Sequence, residues 1–432
     1  MEITHPTIKA KANKAERSWM LYDLTTNAYA TIILTAIFPI YFNAVVGHSV
    51  LGLELKGFAS SFVMLLTAFL CPILGAVGDL PGKKKRYWAI FAFSGAALTL
   101  GLVFASGWQL LLLFFVLSNI AYNCAFLFYD SFITDVTTPE RMHRVSTQGF
   151  AVGYIGGGLV TLIISAVLLF TMGTSNPLAV KLSFLLTALW WFVFNIPMLR
   201  NVKQVHSNPR GLDRGLFREL WATLKDIWAD KGLRFYVLAY FFYIDGVSTV
   251  ITMATSYGSA LGLSSSMMIL ALILTQTVAA PFSIIFGRLA TRFNAIRMLL
   301  IAIAIYVIIC ILGFEMGRMI ETAPSGPAHG LAISHGQMIF WIVAFMVGMV
   351  QGGIQALSRS QFARMIPTER SNEYFGFFNI FNRFASILGP ALMAVTTLMT
   401  GFSSFGILSL IILFFLGALL LLGGRKHFQE AN

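Results

Sequence analysis

A chain of 432 residues with 57% AVILMFWYC, only 11% Asp, Glu, Lys and Arg, and a mean hydropathy of +0.78 cannot cover a water-soluble surface. A net charge of +12 would ordinarily suggest nucleic acid, but here the cations are dispersed over seven short segments between apolar runs, which excludes a binding patch. The composition fits an all-α polytopic membrane protein.

Apolar stretches of about 20 residues, the length that crosses a bilayer as a helix, succeed one another along the chain. The first half gives Trp19 to Val46, Lys56 to Gly78, Tyr87 to Ala105, Gln109 to Asp130, Ser146 to Thr171 and Pro177 to Leu199. The second gives Arg234 to Tyr257, Ser265 to Leu289, Ile296 to Glu315, Gln337 to Ser358, Ser371 to Met399 and Phe402 to Leu422. Twelve spans result, a bundle of six in residues 1–199 and another in 234–432, joined by a linker at 200–233. Trp19 to Val46 is too long for a cleavable signal and contains Asp23 and Asn27, so it reads as a retained first span.

If Met1 is cytoplasmic, the inner segments collect Lys9, Lys11, Lys14, Arg17, the block Lys83 to Arg86, Arg141, Arg144, the linker cations, Arg288, Arg292, Arg297, Arg359, Arg364, Arg370, Arg425 and Lys426. The outer side keeps Lys56, Lys181 and Arg318, and Arg383 lies inside a span. This asymmetry places both termini in the cytoplasm. In the linker, Phe217, Leu220, Trp221, Leu224, Ile227 and Trp228 recur at helical spacing opposite Arg218, Glu219, Lys225 and Asp226. The pattern predicts an amphipathic helix on the inner membrane surface.

The halves echo one another. Gly75-x-x-x-Asp79-x-x-Gly82-Lys83-Lys84-Lys85-Arg86 after the second span is matched by Gly287-Arg288 to Arg297 after the eighth. Pro139-Glu140-Arg141 before the fifth span is matched by Pro367-Thr-Glu369-Arg370 before the eleventh. Repeated six-span halves are the sequence mark of transporters that work by alternating access.

Polar side chains are costly inside a bilayer, so their positions indicate which helices face water. Asp23, Asn27 and Thr31 form one stripe of the first span, and Asn119 and Asn123 share a face of the fourth. Asp245, Ser248, Thr252 and Thr255 follow helical spacing in the seventh, Gln351, Gln355 and Ser358 in the tenth, and Asn379, Arg383 and Ser386 in the eleventh. These stripes predict a polar path lined by Asp23, Asn27, Asn123, Asp245, Gln351, Gln355, Asn379 and Arg383. Asp245 and Arg383 each fall near mid-bilayer. They either contact substrate or a coupling proton, or pair with each other to join two helices. Asp79, with Gly82, Lys83, Lys84 and Arg86, is the expected inner gate, its carboxylate bonding helix-end amides or cations of the other half.

Cys71, Cys124 and Cys310 lie within spans and show no pairing or metal spacing, and the seven histidines fall in loops or at span ends. No phosphate loop, metal motif or nucleophile–base set is visible, so neither an enzyme nor an ATP-driven pump is expected. No cofactor is anticipated beyond a coupling proton or sodium ion.

Gly75 to Lys84 resembles the loop motif of the major facilitator superfamily, with Leu80 where a basic residue is usual. Ser18-Trp19-Met-Leu-Tyr22-Asp23, Pro39-Ile-Tyr41-Phe42, Gly348 to Ser360 and Phe375-Gly376-Phe-Phe-Asn379 resemble the vacuolar (autophagy-related) amino-acid effluxer family and its bacterial relatives. The resemblance implies the major facilitator fold of two pseudo-symmetric six-helix bundles. It also implies efflux of a small polar solute, an amino acid in that family. After Tyr22-Asp23 the chain departs from the family pattern, with Leu24, Thr25 and Thr26 before Asn27. A monomer in a bacterial plasma membrane, with a small-molecule substrate and lipid as its partners, completes the expectation. The alternatives are a membrane receptor or scaffold on the same fold, or a lipid or drug mover.

Overall fold

The computed structural model describes residues 11–46, 50–173, 176–208 and 215–428, with the side chains of 50–54, 265–266, 269 and 382–386 outside that description. His5, Lys9, His48 and the side chains of Arg383 and Ser386 therefore lie outside the described residues.

The helices in chain order are α1 (Lys14–Val46), α2 (Val50–Gly78), α3 (Lys83–Phe104), α4 (Trp108–Val136), α5 (Pro139–Met172), α6 (Pro177–Asn201) and α7 (Leu216–Ala229). They continue as α8 (Lys231–Ala260), α9 (Ser265–Phe293), α10 (Ala295–Glu321), α11 (Pro327–Met365), α12 (Ser371–Thr400) and α13 (Ser403–Gly424). Among the described residues, eleven helices are long and apolar enough to cross a bilayer, and α12 carries a further apolar stretch at Ile387–Thr400. With no water in the hydrocarbon, a helix satisfies its own backbone polar groups, which is why these apolar runs are helical throughout.

Several helices outrun their apolar stretches. Helix α5 starts at Pro139, where proline loses no intrahelical bond, and α11 runs 39 residues to Met365. Arg141, His143, Arg359 and Arg364 therefore sit on helices and not in loops, as hydropathy had suggested. Arg141, His143 and Arg359 are each 3% exposed. The reason is physical: a helix end packed against protein tolerates charge, so its boundary leaves no mark in hydropathy.

Contacts divide the chain into two compact units. The first comprises Met1–Thr223 with Arg359–Phe377, and the second Leu224–Ser358 with Phe378–Asn432. The first unit thus takes in the end of α11 and the start of α12. Its aromatic core stacks Phe38 on Phe115 at 4.5 Å and sets Tyr29 edge-on to Trp191 at 5.2 Å. In the second unit Tyr306 stacks on Phe414 at 5.3 Å. Gly246 lets the Phe414 ring approach, since a Cβ there would stand 2.7 Å from it.

Helix α7 is amphipathic as its spacing predicts: Phe217, Leu220, Trp221, Leu224, Ile227 and Trp228 fall on one face, with the charged residues on the other. Ile227 and, at the edge of that face, Thr223 are buried, while Phe217, Trp221 and Trp228 are exposed and suited to a lipid–water interface.

Candidate functional site: a buried polar network in the first unit

Helix α2 ends at Gly78, and the chain turns through Asp79 and Leu80 to a left-handed Gly82 (φ 70°) before α3 begins at Lys83. This turn delivers Asp79 to the first turn of α12, where amides lack intrahelical partners. Asp79 Oδ1 accepts from the backbone N–H of Asn372 at 3.0 Å, and Oδ2 from that of Glu373 at 2.9 Å. Gly75 makes the approach feasible, because a Cβ there would collide with the carbonyl oxygen of Asn372. Burial pushes the Asp79 carboxyl up to about 7, against the opposing pull of Lys84 and the two amides.

Of the four cations in the basic block, Lys84 turns inward. It is fully buried, with Nζ 2.7 Å from Asp135 Oδ2 and 2.8 Å from Ser371 Oγ. Lys83 is half-buried and Arg86 exposed. Asp135 also accepts the amides of Val205 and His206 at 2.8 Å each, so the stretch after α6 is tied to the same network. The Asp135 carboxylate raises the His206 imidazole above its ordinary value. Asn208 N–H donates to the carbonyl of Asp79 at 2.8 Å. Beyond the latch, Glu373 accepts from the Thr223 hydroxyl of α7 and from Arg370 Nε at 3.0 Å.

A second cluster forms around Arg359 on α11. Its guanidinium donates to Asp130 Oδ1 at 3.1 Å and to Ser146 Oγ at 3.0 Å, and lies 3.6 Å from Asp23 Oδ2. The rings of Trp19, Phe150 and Tyr129 surround it at 4.6, 4.7 and 5.2 Å. Asp23 fits because Gly149 faces it, where a Cβ would strike the carboxylate. The α1 and α5 backbones meet here beside π-helical turns at Ala30–Ala36 and Gly153–Leu159. Asn27 donates to the Asp23 carbonyl at 3.1 Å and lies over Gly153.

Two further buried pairs flank this end of the unit. Arg141 grips Glu16 with bonds of 2.9 and 2.8 Å. Arg364 lies 3.0 Å from His143 Nε2, and Nδ1 faces Ser360 Oγ at 2.8 Å. Guanidinium only donates, so Nε2 is the acceptor and Nδ1 carries the proton.

The remaining expected path residues fall elsewhere. Asn123 bonds to Asn119 of its own helix, with Nδ2 2.8 Å from the carbonyl and 2.9 Å from Oδ1. Gln351 and Asn379 are buried and Gln355 half-buried. In the second unit both oxygens of Asp245 accept the backbone N–H of Gly389 at 3.0 Å, next to Pro390 within α12. A backbone partner for Asp245 carried no signal in the sequence. The expected pairing with Arg383 involves a side chain outside the described residues.

Sequence reasoning missed Asp130, Ser146, Asp135, Ser371 and Glu373, and took Arg359 for a topology cation. One signal was available: Arg359 follows Gln351, Gln355 and Ser358 on a single helical stripe, with Arg359 one residue on from the last.

A family profile described as "Vacuole effluxer Atg22 like" matches residues 57–426. The chain belongs to the Atg22-like family. It is 42% identical over 421 residues to the MFS-type transporter YxiO of Bacillus subtilis (strain 168), covering 94% of each chain. It is 27% identical over 284 residues to autophagy-related protein 22-2 of Aspergillus clavatus, covering 61% of this chain and 45% of that protein. Among solved structures, the proton:xylose symporter XylE superposes with a TM-score of 0.69 at 15% identity, covering 95% of both chains. FucP, solved in the outward conformation, gives 0.68 at 14%, covering 96% of this chain and 97% of that one. This Atg22-like protein has the major facilitator fold and is a multi-pass transporter of that type.

Proposed function

We propose that this Atg22-like protein exports a small polar organic solute of the amino-acid class by alternating access. The observation that carries the reading is the Asp79 latch. A segment of the second half of the chain, Arg359–Phe377, is held in the first unit by the Asp79 carboxylate, Lys84 and Arg359. Each of these bonds joins residues more than 200 positions apart. Releasing and remaking them would open and close one end of the solute path. The crowding of Lys and Arg toward that end supports a cytoplasmic location, with both termini inside a bacterial plasma membrane.

In this reading Asn27, Asn123, Gln351, Gln355 and Asn379 offer amide donors and acceptors to a zwitterionic solute. Arg383 supplies the guanidinium for its carboxylate. Asp23, or Asp245 beside Gly389 and Pro390 of α12, would carry a coupling proton, and a sodium ion is the other driver to test. Substrate class is drawn from the resemblance to the vacuolar amino-acid effluxer family; the matching profile is described as a vacuole effluxer and fungal relatives are named autophagy-related protein 22.

The test is flux in liposomes of the purified full chain, with labelled amino acids, sugars and cationic drugs, with and without proton and sodium gradients. Saturable amino-acid flux that Asp79→Ala abolishes is the expected result. Movement of sugars or drugs with no amino-acid flux would overturn the substrate class. No flux of any solute in the panel would overturn the transporter mechanism in favour of a receptor role.

A further inference from the structure

Between α9 and α10 the chain reverses at Asn294, whose φ of 78° is the left-handed conformation that Asn tolerates. Around this turn lies a recess of about 240 Å3, lined by Arg292, Arg297 and Arg425 together with Phe293, Asn294 and Leu300. Among the described residues no acid lines it, and all three arginines are exposed. Three guanidinium groups around one hollow repel each other unless an anion joins them, and the N-terminus of α10 adds to the positive potential. Arginine's planar fork suits phosphate oxygens.

A second observation says what the anion belongs to. From Arg297 an exposed stripe runs along α10 through Ile301, Ala304, Ile308 and Ile311, at steps of four and three that keep it on one helix face. Ile301 and Ile308 are each 48% exposed, and Ile311 43%. At about 1.5 Å per residue the stripe extends roughly 21 Å from the recess, enough to follow an acyl chain across one leaflet of a core about 30 Å thick. Phe293, half exposed at the rim, lies at the junction. A headgroup hollow and an apolar rail are thus continuous on one helix.

We propose that this recess binds an anionic phospholipid, with its phosphate held by Arg292, Arg297 and Arg425 and an acyl chain along the Ile301–Ile311 face. A soluble phosphate shares the headgroup chemistry but has no use for the rail, so the lipid is the occupant the geometry favours. The site is separate from the latch network and does not depend on which solute is carried.

The experiment uses the full chain purified in a zwitterionic detergent-lipid mixture, with native mass spectrometry and thermal melting as readouts. The probes are phosphatidylglycerol, phosphatidylcholine and inorganic phosphate. Phosphatidylglycerol should bind and raise the melting temperature, while the other two should not. Each Arg→Gln change at 292, 297 or 425 should weaken phosphatidylglycerol about five-fold, and the triple change by roughly 100-fold. Lys426→Gln, exposed beside the recess but not lining it, should leave affinity unchanged and so control for general surface charge. Exposed arginines are replaceable without unfolding, and a monodisperse gel-filtration peak checks this. Equal binding of phosphatidylcholine, full binding by the triple variant, or displacement of phosphatidylglycerol by inorganic phosphate would each overturn the proposal.

Discussion

Asp79 and Asn372 stand 293 positions apart in the chain, yet the carboxylate of the first accepts the backbone N–H of the second at 3.0 Å. A backbone donor gives this contact a particular character. The amides of Asn372 and Glu373 belong to the first turn of α12 and have no intrahelical acceptor, so Asp79 acts as a cap supplied from another helix. No substitution at 372 or 373 other than proline removes those donors. The carboxylate–amide contact is therefore tested by changing Asp79 itself or by pushing the helices apart at Gly75.

Asp79→Ala should therefore unlatch the segment, and Asp79→Asn, which keeps one acceptor oxygen, should do so less. Each of the two hydrogen bonds is worth about 0.5–1.5 kcal/mol with a neutral acceptor and about 1.5–3 kcal/mol with a charged one, so the alanine variant should shift the closed state by a few kcal/mol. Hydrogen–deuterium exchange of the amides at 371–376 measures this directly. Gly75→Ala should raise the same exchange rates through steric displacement alone. Unchanged protection in Asp79→Ala would refute the cap.

The same carboxylate makes closure depend on pH. Burial raises Asp79 to about 7 when latched, against an ordinary value of 3.8, so the latched state is the one that holds the proton. Its proton-linked stabilisation is fully present below about pH 4 and is lost as pH rises through about 7. At about 1.4 kcal/mol per unit, the bias is at most roughly 4 kcal/mol. His206, raised by Asp135, acts in the same direction: its contribution is present below its ordinary value of 6.5 and fades above the raised one. Protection of the 371–376 amides, corrected for intrinsic exchange, should rise from pH 8 to pH 5.5. Asp79→Asn should leave only the smaller His206 contribution. A profile identical to wild type would remove Asp79 as the titrating group.

What the sequence discloses follows from which forces leave a local trace. The spans from Trp19 to Leu422 were legible because hydrocarbon demands about 20 apolar residues per crossing, and the Asp79 turn because Gly75, Asp79 and Gly82 are spaced for it. In the sequence Arg359 reads only as a topology cation, because a buried guanidinium and a solvated one look alike without their partners. Asp130 and Ser146 come from two other helices, and no spacing within one segment reveals them. Gly389 as the partner of Asp245 was invisible for a different reason: the donor is backbone and carries no residue identity.

That pin in the second unit separates two roles for Asp245. If it serves structure, Asp245→Ala removes two acceptors from the Gly389 N–H and should cost about 1 kcal/mol, whereas Asp245→Asn should cost less. Gly389→Ala should be the most damaging, since its Cβ would overlap the Thr249 hydroxyl and lie 2.9 Å from Asp245 Oδ1. Thermal melting reads these differences. If Asp245 also carries a coupling proton, Asp245→Asn should flatten the pH dependence of flux while its melting temperature stays near wild type. A stable, pH-responsive Asp245→Asn would assign the residue to structure alone.

Arg359 offers the sharpest test of the buried cluster, because it is one cation facing two carboxylates. Arg359→Gln leaves Asp130 and Asp23 buried without their guanidinium, and stability should fall by about 3–5 kcal/mol. Arg359→Lys keeps the charge but loses the fork that reaches Asp130 and Ser146 together, along with the planar face toward Trp19 and Phe150. It should recover less than half of that loss. Pairing Arg359→Gln with Asp130→Asn removes one charge of each sign and should be less harmful than the two single changes summed, a coupling that a double-mutant cycle on melting temperature detects. Strict additivity would mean that Asp130 and Arg359 do not depend on each other, and that the cluster is held by its aromatic walls.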